Sequence, residues 1–192
     1  MIKYMLKHNA TTPKRNKFDD TGADLLVRGF QYVLNGELDK TEYWFGENST
    51  ITKDEEGKEY VLIHPNTKIL FKTGVHIQIT DRIEDEFGFI QFDVQIRGRS
   101  GNNLKTDKEV KLGTIDRGFS QDLGIILHNE GNETIKIYEN DKLAQMVIGY
   151  CYIPKDSAIQ IVEEFEETER GENGFGSSDK QSNKKGDINE KS

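Results

Sequence analysis

Apolar and polar residues alternate along much of the chain with a period of two. Ile2, Tyr4 and Leu6 alternate with Lys3, Met5 and Lys7. Phe92, Val94 and Ile96 alternate with Gln91, Asp93 and Gln95, and Ile135 and Ile137 with Thr134 and Lys136. Successive side chains of a strand point to opposite faces, so each such run buries one side. Residues 68–79, 123–128 and 142–153, rich in Ile and Val, are predicted as further strands. Clusters such as His128-Asn129-Glu130-Gly131-Asn132 and Glu139-Asn140-Asp141 supply turns between them. No long segment carries a helical stripe. Many short strands divided by turns predict an all-β sandwich or barrel.

Charge narrows the partners. Lys and Arg number 26 against 34 Asp and Glu, a net charge of -8 over 192 residues. That argues against stable binding to duplex nucleic acid, where basic residues must offset the phosphates. A small phosphorylated ligand needs only a few placed donors and stays open. The single cysteine, Cys151, rules out an internal disulfide and argues against a Cys-rich zinc site. It lies in an apolar strand and is expected in the core. The first residues lack the apolar run of a secretory signal, and no stretch approaches the roughly 20 apolar residues of a membrane helix. A cytoplasmic protein without a membrane contact is expected.

Two regions depart from the alternating pattern. Residues 37–59 hold eight acids and three lysines, yet also Tyr43-Trp44-Phe45 in a row. They are expected to form an ordered excursion with a short helix near residues 39–45. Their aromatic run offers anchors for a protein partner. From Ser177 to Ser192 the only aliphatic residue is Ile188, and there is no aromatic. Such a segment buries too little to offset the entropy of ordering, so a tail is expected there.

Five segments carry donors and carboxylates suited to chemistry. In Arg170-Gly171-Glu172-Asn173-Gly174-Phe175-Gly176-Ser177-Ser178, three glycines permit close backbone approach to a ligand. Arg170 offers a fork of donors for phosphate, and Phe175 a flat face for a base; the alternative is a flexible linker. Arg97-Gly98-Arg99-Ser100-Gly101 ends a strong strand with two guanidiniums and a hydroxyl, or is a charged surface turn. In Gly113-Thr114-Ile115-Asp116-Arg117-Gly118-Phe119, Asp116 sits at a hairpin tip; it is a solvated carboxylate unless a phosphate and a water lie beside it, when it can act as general base. Asp24 follows a small-residue turn in Thr21-Gly22-Ala23-Asp24-Leu25. Gln145 interrupts an apolar strand, where its amide must face solvent or find partners.

In order and spacing these segments resemble the five motifs of the homotrimeric dUTPase family. The first is similar to Ala-Gly-x-Asp-Leu (Thr21 to Leu25), and the second to Pro-Arg-Ser-Gly (Gly98-Arg99-Ser100-Gly101). The third resembles the Gly-x-Ile-Asp-x-x-Tyr hairpin (Gly113 to Phe119), and the fourth Gly-Asp-x-Ile-Ala-Gln (Asn140 to Gln145). The fifth, Arg170-Gly171 followed by Gly174-Phe175-Gly176-Ser177, is the best match.

The resemblance implies a distorted β-jelly roll with a small inserted segment. Residues 1–169 would be the catalytic domain with residues 37–60 as an acidic insert, 170–178 an active-site lid and 179–192 a disordered tail. It implies a homotrimer whose sites combine motifs of different chains. The reaction would be Mg²⁺-assisted hydrolysis of dUTP to dUMP and pyrophosphate by water attack on the α-phosphorus, limiting uracil in DNA. Asp116 would take the water's proton. Asp24 would order that carboxylate or a metal-bound water, and Gln145 would contact a phosphate or the attacking water. Arg99 and Ser100 would hold the phosphates, Arg170 and Ser177 would grip the γ-phosphate, Phe175 would cover the uracil, and Gly101 and Gly176 would also contact the substrate. Gly113, Ile115 and Phe119 would frame base and sugar.

Phe119 stands where the family has Tyr, and Ser120-Gln121 where it has Arg-Gly. The long interval between Asp24 and Arg99 resembles bacteriophage dUTPases with extra segments, which would act in a host cytoplasm. It implies a contact with a repressor-like regulatory protein through residues 37–60. The rival readings are a dCTP deaminase, which shares the fold, and a non-catalytic dUTPase-like regulatory module.

Overall fold

The computed structural model describes residues 1–101, 108–164 and 166. Among them sixteen strands follow in order: β1 (Ile2–Leu6), β2 (Gly22–Leu26), β3 (Gly29–Leu34), β4 (Glu37–Leu38), β5 (Tyr43–Trp44), β6 (Thr52–Lys53), β7 (Glu59–Ile63), β8 (Lys68–Lys72), β9 (Val75–Ile79), β10 (Arg82–Glu84), β11 (Gly88–Gly98), β12 (Lys108–Val110), β13 (Gly113–Ile115), β14 (Ile125–Asn129), β15 (Ile135–Tyr138) and β16 (Lys142–Pro154). One sheet runs β10-β11-β16-β2, with β13 also on β11. A second runs β12-β14-β8-β3-β4, with β5 on β3. Smaller sheets are β15-β7-β6 and β1-β9. The pairing makes an all-β jelly roll. No helix among the described residues is long and apolar enough to cross a membrane.

The period-two pattern decides what each strand buries. β11 and β16 pair from Gly88 opposite Pro154 to Gly98 opposite Ala144, and β2 continues the row from β16. Leu25, Val94, Ile96, Ala144 and Met146 share one face and are buried. Phe30, Ile69, Phe71, Ile125 and Leu127 of the second sheet join them in one apolar cluster. Burying each of the larger side chains stabilises by about 1.5–3 kcal/mol. Asp24, Gln145, Arg97 and Gln95 alternate with these residues and therefore take the opposite face.

Several expectations are corrected. Residues 39–45 hold no helix: Tyr43 and Trp44 form β5, opposite Phe30 and Gly29 of β3. A Cβ on Gly29 would lie 2.4 Å from the Tyr43 carbonyl oxygen, so the missing side chain admits this strand. The aromatic run packs back on the fold instead of standing out as partner anchors. Phe45 is 3% exposed, Tyr43 stacks on Phe30 with ring centroids 5.0 Å apart, and Trp44 stacks on His8 at 3.6 Å. Residues 68–79 are two strands, broken where Gly74 takes φ +69. There the buried Asp122 carboxylate accepts hydrogen bonds from the backbone N–H groups of Thr73 (3.0 Å) and Gly74 (2.6 Å). Cys151 is half-buried and lies outside the core.

Candidate active site

The register of three strands builds the site. Gln145 of β16 pairs with Arg97 of β11 on one side and Asp24 of β2 on the other. Directly opposed residues point to the same face, so the amide and the carboxylate become neighbours although 121 positions separate them. Beyond the end of β11, Arg99 bends back to Asp24: its Nε lies 3.1 Å from Oδ1. The cavity formed there, of about 270 Å³, is lined by Asn16, Asp20, Gly22, Asp24, Arg99, Ser100, Gly101 and Gln145. Arg97 is not among these; its guanidinium is bonded to the Gln95 side chain at 2.6 Å.

Asp24 is 8% exposed and both its oxygens are engaged. Oδ2 lies 2.8 Å from Lys142 Nζ and accepts a hydrogen bond from Asn16 Nδ2 at 3.0 Å. Lys142 Nζ also donates to Asn16 Oδ1 at 3.2 Å, closing a triangle. Burial pushes the Asp24 carboxyl up, but the hydrogen bonds from Lys142 and Asn16 and the Arg99 charge outweigh it, and the group sits below the ordinary carboxylate value. The site therefore holds a fixed anion flanked by two cations, a hydroxyl and an amide. Such a set can grip and polarise a phosphorylated ligand.

Sequence reasoning had singled out Asp24, Arg99, Ser100, Gly101 and Gln145, and the fold brings these together. It missed Asn16, Asp20 and Lys142. Lys142 lies within the 140–145 stretch, three residues before Gln145; strict alternation would put it on the opposite face, and the register shift between Lys142 and Ala144 escapes that pattern. Asn16 and Asp20 sit in an irregular segment with no periodic signal.

The third segment stands apart. Gly113, Thr114 and Ile115 pair with Ile96, Gln95 and Val94. The turn after them closes through the Phe119 N–H, which donates to the Asp116 carbonyl at 2.9 Å. Arg117 Nη2 donates to the Thr80 carbonyl at 2.8 Å, and His76 Nδ1 lies 3.1 Å from the Ser120 carbonyl. These contacts support the hairpin where Ser120-Gln121 changes the usual pattern. Asp116 is exposed, and Phe119 packs half-buried against the core. Asp116 is absent from the Asp24 cavity of its own chain. Arg170, Phe175, Gly176 and Ser177, with the lid and tail, lie outside the described residues.

The only group of three His, Cys, Asp or Glu side chains placed to share an ion among the described residues is Glu109, His128 and Glu130. It lies outside this cavity, and Lys111 Nζ already contacts Glu109 and Glu130.

The family model described as dUTPase matches residues 57–179. The deoxyuridine 5'-triphosphate nucleotidohydrolase of Clostridium novyi is 41% identical over 62% of this chain and 77% of its own length. That of Crocosphaera subtropica is 38% identical over 90% of this chain and 93% of its own. A dUTPase of Staphylococcus bacteriophage 80alpha, solved with dUPNHPP and described as controlling transfer of virulence genes, superposes with a TM-score of 0.62. It is 25% identical and covers 92% of this chain and 97% of its own. A dUTPase of phage phi11 of S. aureus, described with a structural Mg(II) ion, shares the fold at 24% identity and a TM-score of 0.59, covering 87% of this chain and 99% of its own. The chain belongs to the dUTPase family.

Proposed function

We propose that the chain performs the family's hydrolysis of dUTP to dUMP and pyrophosphate by attack of water at the α-phosphorus, at sites shared between the chains of a homotrimer. The observation that carries this reading is the gathering of Asp24, Arg99, Ser100 and Gln145 around one cavity that lacks Asp116 of the same chain. The general base then comes from another copy. Arg99 and Ser100 hold phosphate oxygens, and Gln145 orients the water or a phosphate. Asp116 of a neighbouring chain takes the water's proton. Positioning and charge stabilisation dominate phosphoryl transfer, which suits a site built from donors rather than nucleophiles.

Gly113, Ile115 and the Phe119 ring frame uracil and deoxyribose. A ring excludes a 2′-hydroxyl sterically, so loss of the tyrosine hydroxyl leaves sugar discrimination in place. Arg170 and Ser177 grip the γ-phosphate, Gly176 also contacts the substrate and Phe175 covers the base.

Magnesium fits this donor set. The cavity offers carboxylate, amide and hydroxyl oxygens and no sulfur or imidazole, and this ion keeps several waters while leaning on substrate phosphates. Asp24 and Asp20 would hold it through those waters, because both Asp24 oxygens already meet cations. When bound it supplies positive charge to the phosphate oxygens.

The test is release of pyrophosphate from dUTP, with dCTP and dTTP as controls. Selective release from dUTP is expected. Deamination of dCTP would favour the deaminase, and nucleotide binding without turnover the regulatory module.

A second, protein-level role for residues 37–60 draws on the likeness to the bacteriophage 80alpha dUTPase. With the aromatics turned inward, the insert's exposed acids include Glu37, Glu55 and Glu56, beside Glu42 and Glu47, which meet Lys72 and His8. The contact is then electrostatic, with a basic, repressor-like partner. Replacing Glu37, Glu55 and Glu56 by Gln should leave turnover intact and weaken the partner complex.

A further inference from the structure

We infer that Gly22 is a positioning residue for the reaction: its missing side chain is the space in which the Gln145 amide lies. This rests on the reading of the site as a dUTPase centre and adds a residue to it.

Asp24 is directly opposite Gln145, and Gly22 is two residues before Asp24 on the same strand. With a side-chain period of two, positions 22, 24 and 145 share one face, and 22 is the diagonal neighbour of 145. A Cβ built on Gly22 would lie 2.2 Å from Gln145 Oε1, 2.5 Å from Cδ and 2.8 Å from Cγ. The whole end of the glutamine side chain therefore folds over the Gly22 backbone. Gly22 is not among the glycines with positive φ, so the backbone accepts any L residue there. What position 22 cannot accept is volume. Both residues line the cavity that Asp24 and Arg99 define.

The clash is with a movable side chain rather than with backbone. A methyl at position 22 would therefore leave the strand pairing intact and push the Gln145 amide off Asp24's side of the cavity. A displacement of about 1 Å in a positioned catalytic contact costs on the order of 10²-fold in rate. Gly22→Ala is thus expected to be a selective lesion: folded, and slow through Gln145.

A double-mutant cycle tests this. Gly22→Ala and Gln145→Ala are measured alone and together for kcat and KM with dUTP, with thermal melting of each and the Gln145 side-chain amide NMR signals of the Gly22→Ala variant. The expected result has four parts. Gly22→Ala loses about 10²-fold in kcat, with little change in KM. It melts within about 5 °C of the parent. Its Gln145 amide signals shift. In the Gln145→Ala background the same change costs less than about twofold, because the group it displaces is gone. An equal loss in both backgrounds, unchanged turnover or amide signals, or a lower melting point accounting for the loss would each overturn the proposal. The amide signals report on the contact even without turnover. Failure of the parent to hydrolyse dUTP would instead count against the functional reading.

Discussion

Asp116 follows the residue that pairs with Val94, whereas Gln145 pairs with Arg97, so the two stand four ladder positions and two strands apart in one sheet. With about 3.3 Å per residue and about 4.8 Å between strands, that is a separation on the order of 16 Å. Accordingly, Asp116 does not line the cavity that Asp24, Arg99 and Gln145 of the same chain share.

Asp116→Asn should abolish most turnover and leave the fold untouched. The carboxylate is exposed, and the amide keeps its shape while losing the ability to take a proton. Loss of a general base removes about 10²–10⁴-fold in rate. Steady-state kinetics beside calorimetric binding of a non-hydrolysable dUTP analogue checks this, with binding expected to survive.

The Asp24 carboxyl should titrate below an ordinary carboxylate and lose that property when Lys142 is replaced by Met. Removing Lys142 deletes a hydrogen bond and a charge and leaves burial less opposed. Because the folded value is depressed, the stabilisation by ionised Asp24 is fully present above the unfolded value of about 3.9 and disappears as pH falls through the folded value. Carbon-detected NMR titration reads the shift directly. The melting difference between the parent and Asp24→Asn should be larger at neutral pH than at strongly acidic pH.

Replacing residues 37–59 by a short Gly/Ser loop should destabilise the fold. Phe45 and Ile51 are core residues at 3% and 6% exposure. Phe45→Ala alone should cost about 3–5 kcal/mol in denaturant unfolding.

Asp122→Ala should also destabilise, by about 1–3 kcal/mol, since it leaves the Thr73 and Gly74 N–H groups without their acceptor at a buried turn. Asp122→Asn keeps one acceptor oxygen and should fall between. Unfolding curves of the three proteins order them.

Much of this was legible in the sequence because period-two alternation and five spaced motifs are local signals. Val94 and Ile96 announced a buried face, and the spaced motifs singled out Asp24, Arg99, Ser100 and Gln145, which the fold places around one cavity. What escaped depends on contacts distant in sequence. Tyr43-Trp44 reads as helix or anchor until Gly29 and Phe30 are seen to receive it. Asp122 reads as a loop acid until Gly74 is placed against it. Asn16 enters the site only because the irregular segment before β2 folds over Asp24, and no pattern within that segment signals it.

The central claim is that each catalytic centre combines the Asp24–Arg99–Gln145 cavity of one chain with Asp116 of another. Co-expressing Asp116→Asn and Gln145→Ala chains in equal amounts tests it most directly. Each variant alone is nearly inactive. In randomly assorted trimers about a quarter of the sites join an intact cavity to an intact Asp116 across the interface, so dUTP hydrolysis should recover to about a quarter of the wild-type rate. Activity no higher than the mean of the two inactive variants, in trimers shown to contain both chains, would contradict the account.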